Sequence, residues 1–446
     1  MKVSFACFDG WRAVTLQWGE RVTRSTAIIA TRKVFLRACS ALVPENWDEQ
    51  ATQLRAVDVE GWDFIRDLAV RHGLLGLVAR NLEWAHRRTG VPIPVLDQVR
   101  TLRQGQLVQM LVRRNAARRI AESLAARGIR FVIFRGLAFI EQVYGELSLR
   151  AFRDCDILVE RDRLEAAYAV LRGLGYSLTE EGGLQQYLVR DKSGANMAHS
   201  DGSSVDLHWA IQGYEMPASN PEVIWRHCRP PDPWQHLPGW RMSSELTVII
   251  AASHFQVHEY EELKPLVDFY LTAVRLGASI KADRLLGLAE TLGMTHSVDL
   301  AARLCEKMFI HNPLVARLAL SPPSMHTRLA LGLLKQESLL RLERMLPTAR
   351  RIRGLLCHAS SSSSARAVRK MLIPRSRELE LRFRRPFNLA MYPKYYLAQA
   401  QRVLTRSRMS LSDIMPTASP DGDYRAPTVI CSTSSAVASG RAGSRK

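Results

Sequence analysis

Residues 153–159 read Arg-Asp-Cys-Asp-Ile-Leu-Val, an acidic pair that runs into an apolar segment. In an extended chain residues i and i+2 point to the same face, so Asp154 and Asp156 project together. Two carboxylates held this close repel each other unless a cation, usually a hard divalent ion, compensates them. Asp206 is a third carboxylate, inside the apolar run 205–209, where an acidic group needs a partner or a function. On spacing alone a solvated surface turn is the alternative; the strand context favours a metal site.

The spacing of apolar residues changes at Gly128. Before it they recur at three- and four-residue steps over 47–84 and 95–126, which predicts helices. After it, short runs predict strands at 129–134, 156–159, 187–189 and 205–209 and helices at 137–144 and 162–173. Helical patterns return from Ser243 to about Leu346. The sequence therefore predicts an α+β protein whose one small sheet unit is flanked by N- and C-terminal all-helical regions.

These patterns divide the chain into six predicted regions. They are an extension of uncertain order (1–40), a helical region (41–127), the α/β core (128–210), a second helical region (211–346), a basic helical or linker region (347–405) and a disordered tail (406–446). The segment 211–240 is rich in Pro and Trp and predicts a structured loop with a short helix. Five serines at 360–364 predict a flexible link.

The composition excludes a wholly disordered or collagen-like chain, since 47% of the 446 residues are hydrophobic and 24% are charged. The net charge of +19 predicts an anionic partner. More than half of this excess lies in 341–386, with thirteen Lys and Arg against three Asp and Glu. That stretch is either a solvated basic helix face or a contact for nucleic acid or an anionic membrane surface.

The seven cysteines are scattered and include no CxxC pair. This argues against a disulfide framework or a structural zinc site and predicts a reducing, cytoplasmic location. The first residues show no signal-peptide pattern, and no run of 18 apolar residues lacks a charge, so no transmembrane segment is expected.

Five motifs follow one another along the chain. They are Phe134-Arg135-Gly136-Leu137-Ala138, the run from Arg150 to Val159, Leu171-Arg172-Gly173-Leu174-Gly175-Tyr176, Val205-Asp206-Leu207-His208-Trp209 and Leu263-Lys264-Pro265-Leu266-Val267-Asp268. With them the chain resembles, over roughly residues 40–330, the uncharacterised bacterial nucleotidyltransferase family of the DNA polymerase beta-like nucleotidyltransferase superfamily. The resemblance implies a small mixed β-sheet nucleotidyltransferase core flanked by helices.

The resemblance also implies an activity: Mg²⁺-dependent (or Mn²⁺-dependent) transfer of a nucleoside monophosphate from a nucleoside triphosphate to an unknown acceptor. Asp154, Asp156 and Asp206 match the family's catalytic, metal-binding carboxylates, and Asp206 would also help to activate the acceptor hydroxyl. Metal ions that bridge the attacking and leaving oxygens stabilise such displacements. The alternative, from another class, is a catalytically degenerate nucleotidyltransferase-fold module that binds nucleic acid or another anionic partner.

The turn after the first predicted strand departs from the superfamily, whose better characterised members carry Gly-Ser there to hold phosphate. Here the turn reads Arg135-Gly136-Leu137. Gly136 still lets the backbone approach a phosphate at a helix N-terminus. Arg135 is predicted to bind the triphosphate in place of the missing hydroxyl. The alternative is that Arg135 pairs with Glu141 and only fixes the turn.

Three more basic residues are predicted to contact the nucleotide: Arg150 and Arg153, which flank the acidic pair, and Lys264 in the last motif. The alternatives are solvated loop arginines and a plain helix pair between Lys264 and Asp268, one turn apart.

Histidines lie near these motifs. His208 shares the strand face of Asp206, and an orienting hydrogen bond is the simpler interpretation. His254 and His258 lie one helical turn apart without the HExxH order. We interpret them as lining a cleft or packing rather than as metal ligands.

Overall fold

The computed structural model describes part of the chain. The described residues are 27–40, 42, 47–179, 184, 193–211, 221–231, 237–319, 322–342, 345, 347–357, 388, 391 and 393. The predictions for the strand at 187–189, the serines at 360–364 and the tail at 406–446 lie outside these residues. The chain divides into two units, Met1–Pro374 and Arg375–Lys446, and all elements below belong to the first.

The helices are numbered in chain order. They are α1 (27–40), α2 (Ala51–Arg55), α3 (Val59–Arg71), α4 (Leu75–Thr89), α5 (Leu96–Ala126), α6 (Gly136–Phe139), α7 (Leu164–Gly173), α8 (Pro221–Arg226), α9 (Ser244–Val257), α10 (Lys264–Leu276), α11 (Ala282–Thr291), α12 (Thr295–Met308), α13 (Pro313–Leu318), α14 (Met325–Leu333), α15 (Gln336–Leu339) and α16 (Pro347–Leu356). Short 3₁₀ turns occur at Asp48–Gln50, Leu147–Leu149, Arg161–Arg163 and Gly277–Ser279.

The strands form two sheets. They are β1 (Phe131–Ile133), β2 (Cys155–Val159), β3 (Ser177–Leu178), β4 (Gly194–Ala198), β5 (Ser204–His208), β6 (Cys228–Arg229) and β7 (Arg241–Met242). The main sheet has the order β1-β2-β5-β4-β3, and β6 pairs with β7. Within the main sheet β2 and β5 run parallel, whereas the other pairs are antiparallel. The predicted α+β class with a small mixed sheet between helical regions is confirmed.

The structure differs from the prediction in three places. The strands β3 and β4 were not predicted. The helix predicted at 137–144 divides into α6 and a wider π-helical turn at Ile140–Tyr144. The segment 211–240 contains the predicted short helix, α8, and also the strand β6, whose partner β7 follows it. The two-residue strands of this hairpin are too short to show a period in the sequence.

One face of the main sheet packs into a hydrophobic core, and the other carries acidic residues. Ile157 of β2, Leu207 of β5 and Met197 of β4 are buried in a core that also contains the C-terminal half of α5 and much of α7. Because side chains alternate along a strand, the residues between them point to the opposite face. That face carries Asp156 and Asp206 on adjacent strands.

The helical regions share a second core. Val34 and Phe35 of α1 are buried in it, so this part of the predicted extension belongs to the folded body, whereas 1–26 lies outside the described residues. The described cysteines (Cys39, Cys155, Cys228, Cys305 and Cys357) are buried and free. Among the described helices, none is both long enough and apolar enough to span a bilayer.

A buried ion pair joins the sheet unit to the second helical region. Arg150, in the loop before β2, donates from Nε and Nη2 to the two carboxylate oxygens of Asp268 in α10, both at 2.7 Å. The hydroxyl of Tyr144 donates to the same carboxylate at 2.8 Å. The side chains of Arg150 and Asp268 are 2% and 0% exposed. The helix pair between Lys264 and Asp268 is therefore not what the structure shows, because Asp268 is committed to Arg150.

Removing one partner of this pair should destabilise the protein strongly. Asp268→Asn leaves the guanidinium of Arg150 buried without a counter-charge, so we expect a loss of about 3–5 kcal/mol in the free energy of unfolding. Urea denaturation followed by circular dichroism measures it. Asp48→Asn is the matched control, because Asp48 pairs with Arg88 at 2.7 Å on the exposed surface and should change stability by less than about 1 kcal/mol. Equal, small losses for both variants would contradict the structural role of the buried pair.

Candidate functional site

The acidic residues meet because β2 and β5 are adjacent parallel strands. In the register of this pair Asp156 lies directly beside Asp206, and Leu158 lies beside His208. Asp156 is 6% exposed, and Asp206 and His208 are half-buried. Ligand atoms of Asp156, Asp206 and His208 all lie within 4.8 Å of one another. Two carboxylates and an imidazole are a donor set that a divalent cation accepts.

Asp154 stands at the start of the same strand, in the last loop residue before β2. It is outside the group of three whose ligand atoms lie within 4.8 Å, but it belongs to the same electrostatic cluster. Burial, and then the charge of Asp156, raise the pKa of Asp154. The carboxylates of Asp154 and Asp156 therefore repel each other, as their spacing predicts. His208 lies two residues after Asp206 on β5, on the same face of the strand.

Asp206 is the carboxylate whose charge is least compensated. Burial, followed by the charges of Asp154 and Asp156, raises the pKa of Asp206 to about 7, against the opposing effect of Arg135. An acidic group with such a pKa, in a cluster of three carboxylates, is typical of a site arranged for a cation or for proton transfer.

Asp156, in contrast, has two hydrogen-bond partners. Its Oδ1 accepts from Nη1 of Arg135 at 3.1 Å and lies 3.2 Å from Nε2 of His208. Burial acts to raise the pKa of Asp156, but Arg135 and the hydrogen bond with His208 outweigh it and hold this pKa below its usual value. The partner of Arg135 is thus Asp156 and not Glu141, and His208 makes the orienting hydrogen bond that the sequence suggested.

Arg135 holds its place with a strained backbone. Its φ is 61° and its ψ −143°, a region that is essentially restricted to glycine and that costs other residues about 1–3 kcal/mol. The guanidinium lies 4.8 Å from the centre of the Phe134 ring. Its Nε is buried and has no hydrogen-bond partner among the described residues. The strained backbone of Arg135 and its unpaired Nε, both beside the acidic cluster, indicate that this residue has a function beyond fixing the turn.

Gly136 lets this turn approach the acidic loop. A Cβ at this position would lie 3.1 Å from Cβ of Phe152 and 3.5 Å from the carbonyl oxygen of Asp154. The absence of a side chain therefore brings the N-terminus of α6 against the start of β2. The approach of this backbone to a phosphate stays a prediction from the motif.

The other three predicted nucleotide contacts, Arg150, Arg153 and Lys264, differ in their exposure and in their partners. Arg150 is buried in its pair with Asp268, so its guanidinium has no access to a nucleotide. Arg153 is exposed beside Asp154. The stem of Lys264 packs on Gly73, where a Cβ would lie 3.3 Å from its Cδ. Its ammonium group acts to lower the pKa of Asp154.

His254 and His258 of the α9 region form a pair beside this cluster. Their Nε2 atoms are 2.8 Å apart. Burial, then Arg135 and His258, lower the pKa of His254; burial likewise lowers the pKa of His258, while Glu262 opposes the shift. Their surroundings are thus cationic on the side of Arg135, which suits an anion better than a second metal ion. Whether the pair lines the cleft or only packs stays a prediction from the sequence.

A model described as an uncharacterised nucleotidyltransferase matches residues 58–310, more than half of the chain. The chain belongs to that family. The resemblance drawn from the five motifs is confirmed, and membership supports nucleotidyl transfer as the general activity. No curated protein matches the chain.

Among solved structures, the chain is similar to the antibiotic-resistance factor ANT(2'')-Ia in its solution structure. The identity is 16% and the TM-score 0.28, over 42% of this chain and 90% of that chain. A likeness this slight carries no argument about substrate or mechanism.

The raised pKa of Asp206 gives a pH-dependent prediction for the metal-free protein. The folded state binds the Asp206 proton more tightly than the unfolded state, whose carboxyl keeps a pKa of about 3.8. The stability that this proton contributes is therefore present at low pH and lost as the pH rises from about 4 to about 7. Asp206→Asn cannot titrate, so its stability relative to wild type should increase over this window. Urea denaturation at several pH values with a chelator present measures it, and a constant difference would contradict the shift.

Proposed function

We propose that the protein transfers a nucleoside monophosphate from a nucleoside triphosphate to an acceptor hydroxyl, using a divalent ion, Mg²⁺ or Mn²⁺. One observation carries this proposal: Asp156, Asp206 and His208 converge within 4.8 Å, directly beside a cation, Arg135, in the turn after the first strand. An acidic group for a metal ion next to a basic group for phosphate is the arrangement that nucleotidyl transfer requires.

The residues present fit a divalent ion. Asp156, Asp206 and His208 supply oxygen and nitrogen ligands, and Asp154 stands beside them as the third carboxylate of the proposed set. The pKa of Asp206, raised to about 7 by burial and by its acidic neighbours, reflects negative charge that a divalent ion would compensate. A bound ion would neutralise the charge that develops on the phosphate oxygens during the displacement. The imidazole makes Mn²⁺ at least as suitable as Mg²⁺, which prefers oxygen ligands.

The protein's own side chains then have distinct tasks. Asp206 accepts the proton of the acceptor hydroxyl, whose oxygen forms a bond to the α-phosphorus while the bond from phosphorus to the bridging oxygen breaks and pyrophosphate leaves. Arg135 and Lys264 bind phosphate oxygens, and the backbone at Gly136 approaches them closely. Arg153, exposed at the start of β2, is proposed as a further contact with the nucleotide. Because Arg135 donates a hydrogen bond to Asp156, nucleotide binding would exchange a carboxylate partner for a phosphate.

The alternative, a degenerate module that binds nucleic acid through residues 341–386, has less support from the described part of that stretch. Arg350 donates to Glu259 and Glu261, and Arg353 donates to the carbonyl oxygen of Glu259. These two arginines are therefore engaged within the chain. Residues 358–386 lie outside the described part. The buried, free cysteines agree with the cytoplasmic location that we propose for the enzyme.

The carboxylates are tested by metal-dependent nucleotide binding. Asp156→Asn and Asp206→Asn should each abolish Mn²⁺- or Mg²⁺-dependent binding of a fluorescent nucleoside triphosphate, because each removes a metal ligand. Asp162→Asn, an exposed aspartate in the turn before α7, is the control and should bind as wild type does. Fluorescence anisotropy with and without a chelator measures the affinity. If wild-type protein binds no triphosphate with either ion, or if both site variants bind it normally, the proposed function is wrong.

Arg135 is tested by two substitutions that differ only in backbone freedom. Arg135→Ala and Arg135→Gly both remove the guanidinium, and charge-assisted hydrogen bonds to phosphate are worth about 1.5–3 kcal/mol, so both should weaken nucleotide binding roughly tenfold to a hundredfold. Glycine fits the φ of 61° at this position, so Arg135→Gly should be more stable than Arg135→Ala by about 1 kcal/mol or more. Thermal unfolding and anisotropy separate the two effects. Normal nucleotide affinity in both variants would assign Arg135 to the turn alone.

A further inference from the structure

The turn between α9 and α10 has an unusual backbone. It begins after His258, the residue that caps the C-terminus of α9, and ends at Lys264, the first residue of α10. Within it Glu259 has a φ of 53° and Tyr260 a φ of 59°. Two consecutive non-glycine residues in the left-handed region persist only where the surrounding structure holds them.

Helix α16, the first part of the basic stretch, supplies that hold. Arg350 donates from Nε to Glu259 at 2.5 Å and from Nη1 to Glu261 at 2.7 Å. Arg353 donates to the carbonyl oxygen of Glu259 at 3.1 Å. Gly354 packs on the turn, since a Cβ there would lie 3.4 Å from Cβ of Glu259. Side chain, backbone and packing contacts thus all reach the strained turn from one helix.

The C-terminal end of α3 also contacts this turn, through Arg71 and through His72, which follows the helix. Arg71 donates to Glu261 at 2.9 Å, so Glu261 is bound from two sides. The backbone N–H of Leu263 donates to Nδ1 of His72 at 3.1 Å. Burial, followed by the charge of Arg71, lowers the pKa of His72 to about 4, so the ring is neutral and can accept this bond. Lys264 follows immediately, which ties its position to the state of the turn.

We propose that Arg350 is a positioning residue of the nucleotide site. Through Glu259 and Glu261 it holds the turn in the conformation that presents Lys264 and His258 to the bound phosphates. This inference rests on the proposed function. It also gives a part of the basic stretch a role inside the chain, through an ion pair that lies outside the five motifs.

Opposite charge changes distinguish positioning from simple electrostatics. Arg350→Ala removes a positive charge, and Glu259→Gln removes a negative one, but both loosen the turn. If Arg350 acted only through its charge, the first variant would weaken triphosphate binding and the second would strengthen it. If Arg350 positions the turn, both should weaken the binding of a non-hydrolysable nucleoside triphosphate with Mg²⁺, by about threefold to thirtyfold. Arg350→Lys keeps the charge and should recover part of the affinity.

Two further measurements complete the test. Binding of Mn²⁺ alone should be unchanged in all three variants, because the carboxylates lie on other elements. Arg88→Ala, which removes the exposed pair with Asp48, is the matched control and should bind nucleotide as wild type does.

The outcomes separate this inference from the proposed function. Failure of the wild-type chain to bind any triphosphate overturns the proposed function and this inference with it. Normal wild-type binding combined with changes of opposite sign, or with no change, in Arg350→Ala and Glu259→Gln overturns the inference alone. Loss of Mn²⁺ binding in Arg350→Ala also overturns it, because the effect would then be general unfolding.

Discussion

The pair between Arg150 and Asp268 is the contact on which the geometry of the cleft depends. Arg150 lies four residues before Asp154, and Asp268 lies one helical turn after Lys264. A single buried contact therefore sets the distance between the acidic strand and the helix that carries the basic side chain. A buried ion pair is not in itself a strong source of stability. Its value here is that it permits one arrangement of the two elements, since any other leaves a charge buried alone.

The electrostatics of the cleft depend on an excess of carboxylates over the cations that neutralise them. Asp156 and Asp206 lie on two adjacent strands and Asp154 lies just before the first of them. Of the three, Asp156 has the direct ion pair with Arg135. The pKa values follow this division: Asp156 is lowered, whereas burial and neighbouring acids raise Asp154 and Asp206. Arg135 is thus bonded to one carboxylate of the three, and under the proposed function it would also bind an incoming phosphate. The entry of a cation would compensate Asp156 and release the guanidinium, so ion and nucleotide binding should favour each other.

Sequence reasoning found the elements of the site but not all of their partners. The change of period at Gly128 located the first strand, and the apolar run after Asp156 located the second, because both signals are local. The parallel register that sets Asp156 beside Asp206 depends on a crossover between strands, which period cannot show. Arg150 illustrates the same limit more strongly. Its position next to the acidic pair predicted a contact with phosphate, whereas its partner, Asp268, lies 118 residues further along the chain.

Gly194 shows how far from the motifs a site can constrain the sequence. It lies at the start of β4, opposite His208 in the antiparallel register. A Cβ at this position would come within 2.7 Å of Nδ1 of His208, so any larger residue must displace the imidazole. Displacement would remove a hydrogen bond from Asp156 and a nitrogen from the candidate metal group. Positions 194 and 208 are therefore coupled: a residue with a side chain at position 194 is incompatible with the present position of the His208 ring.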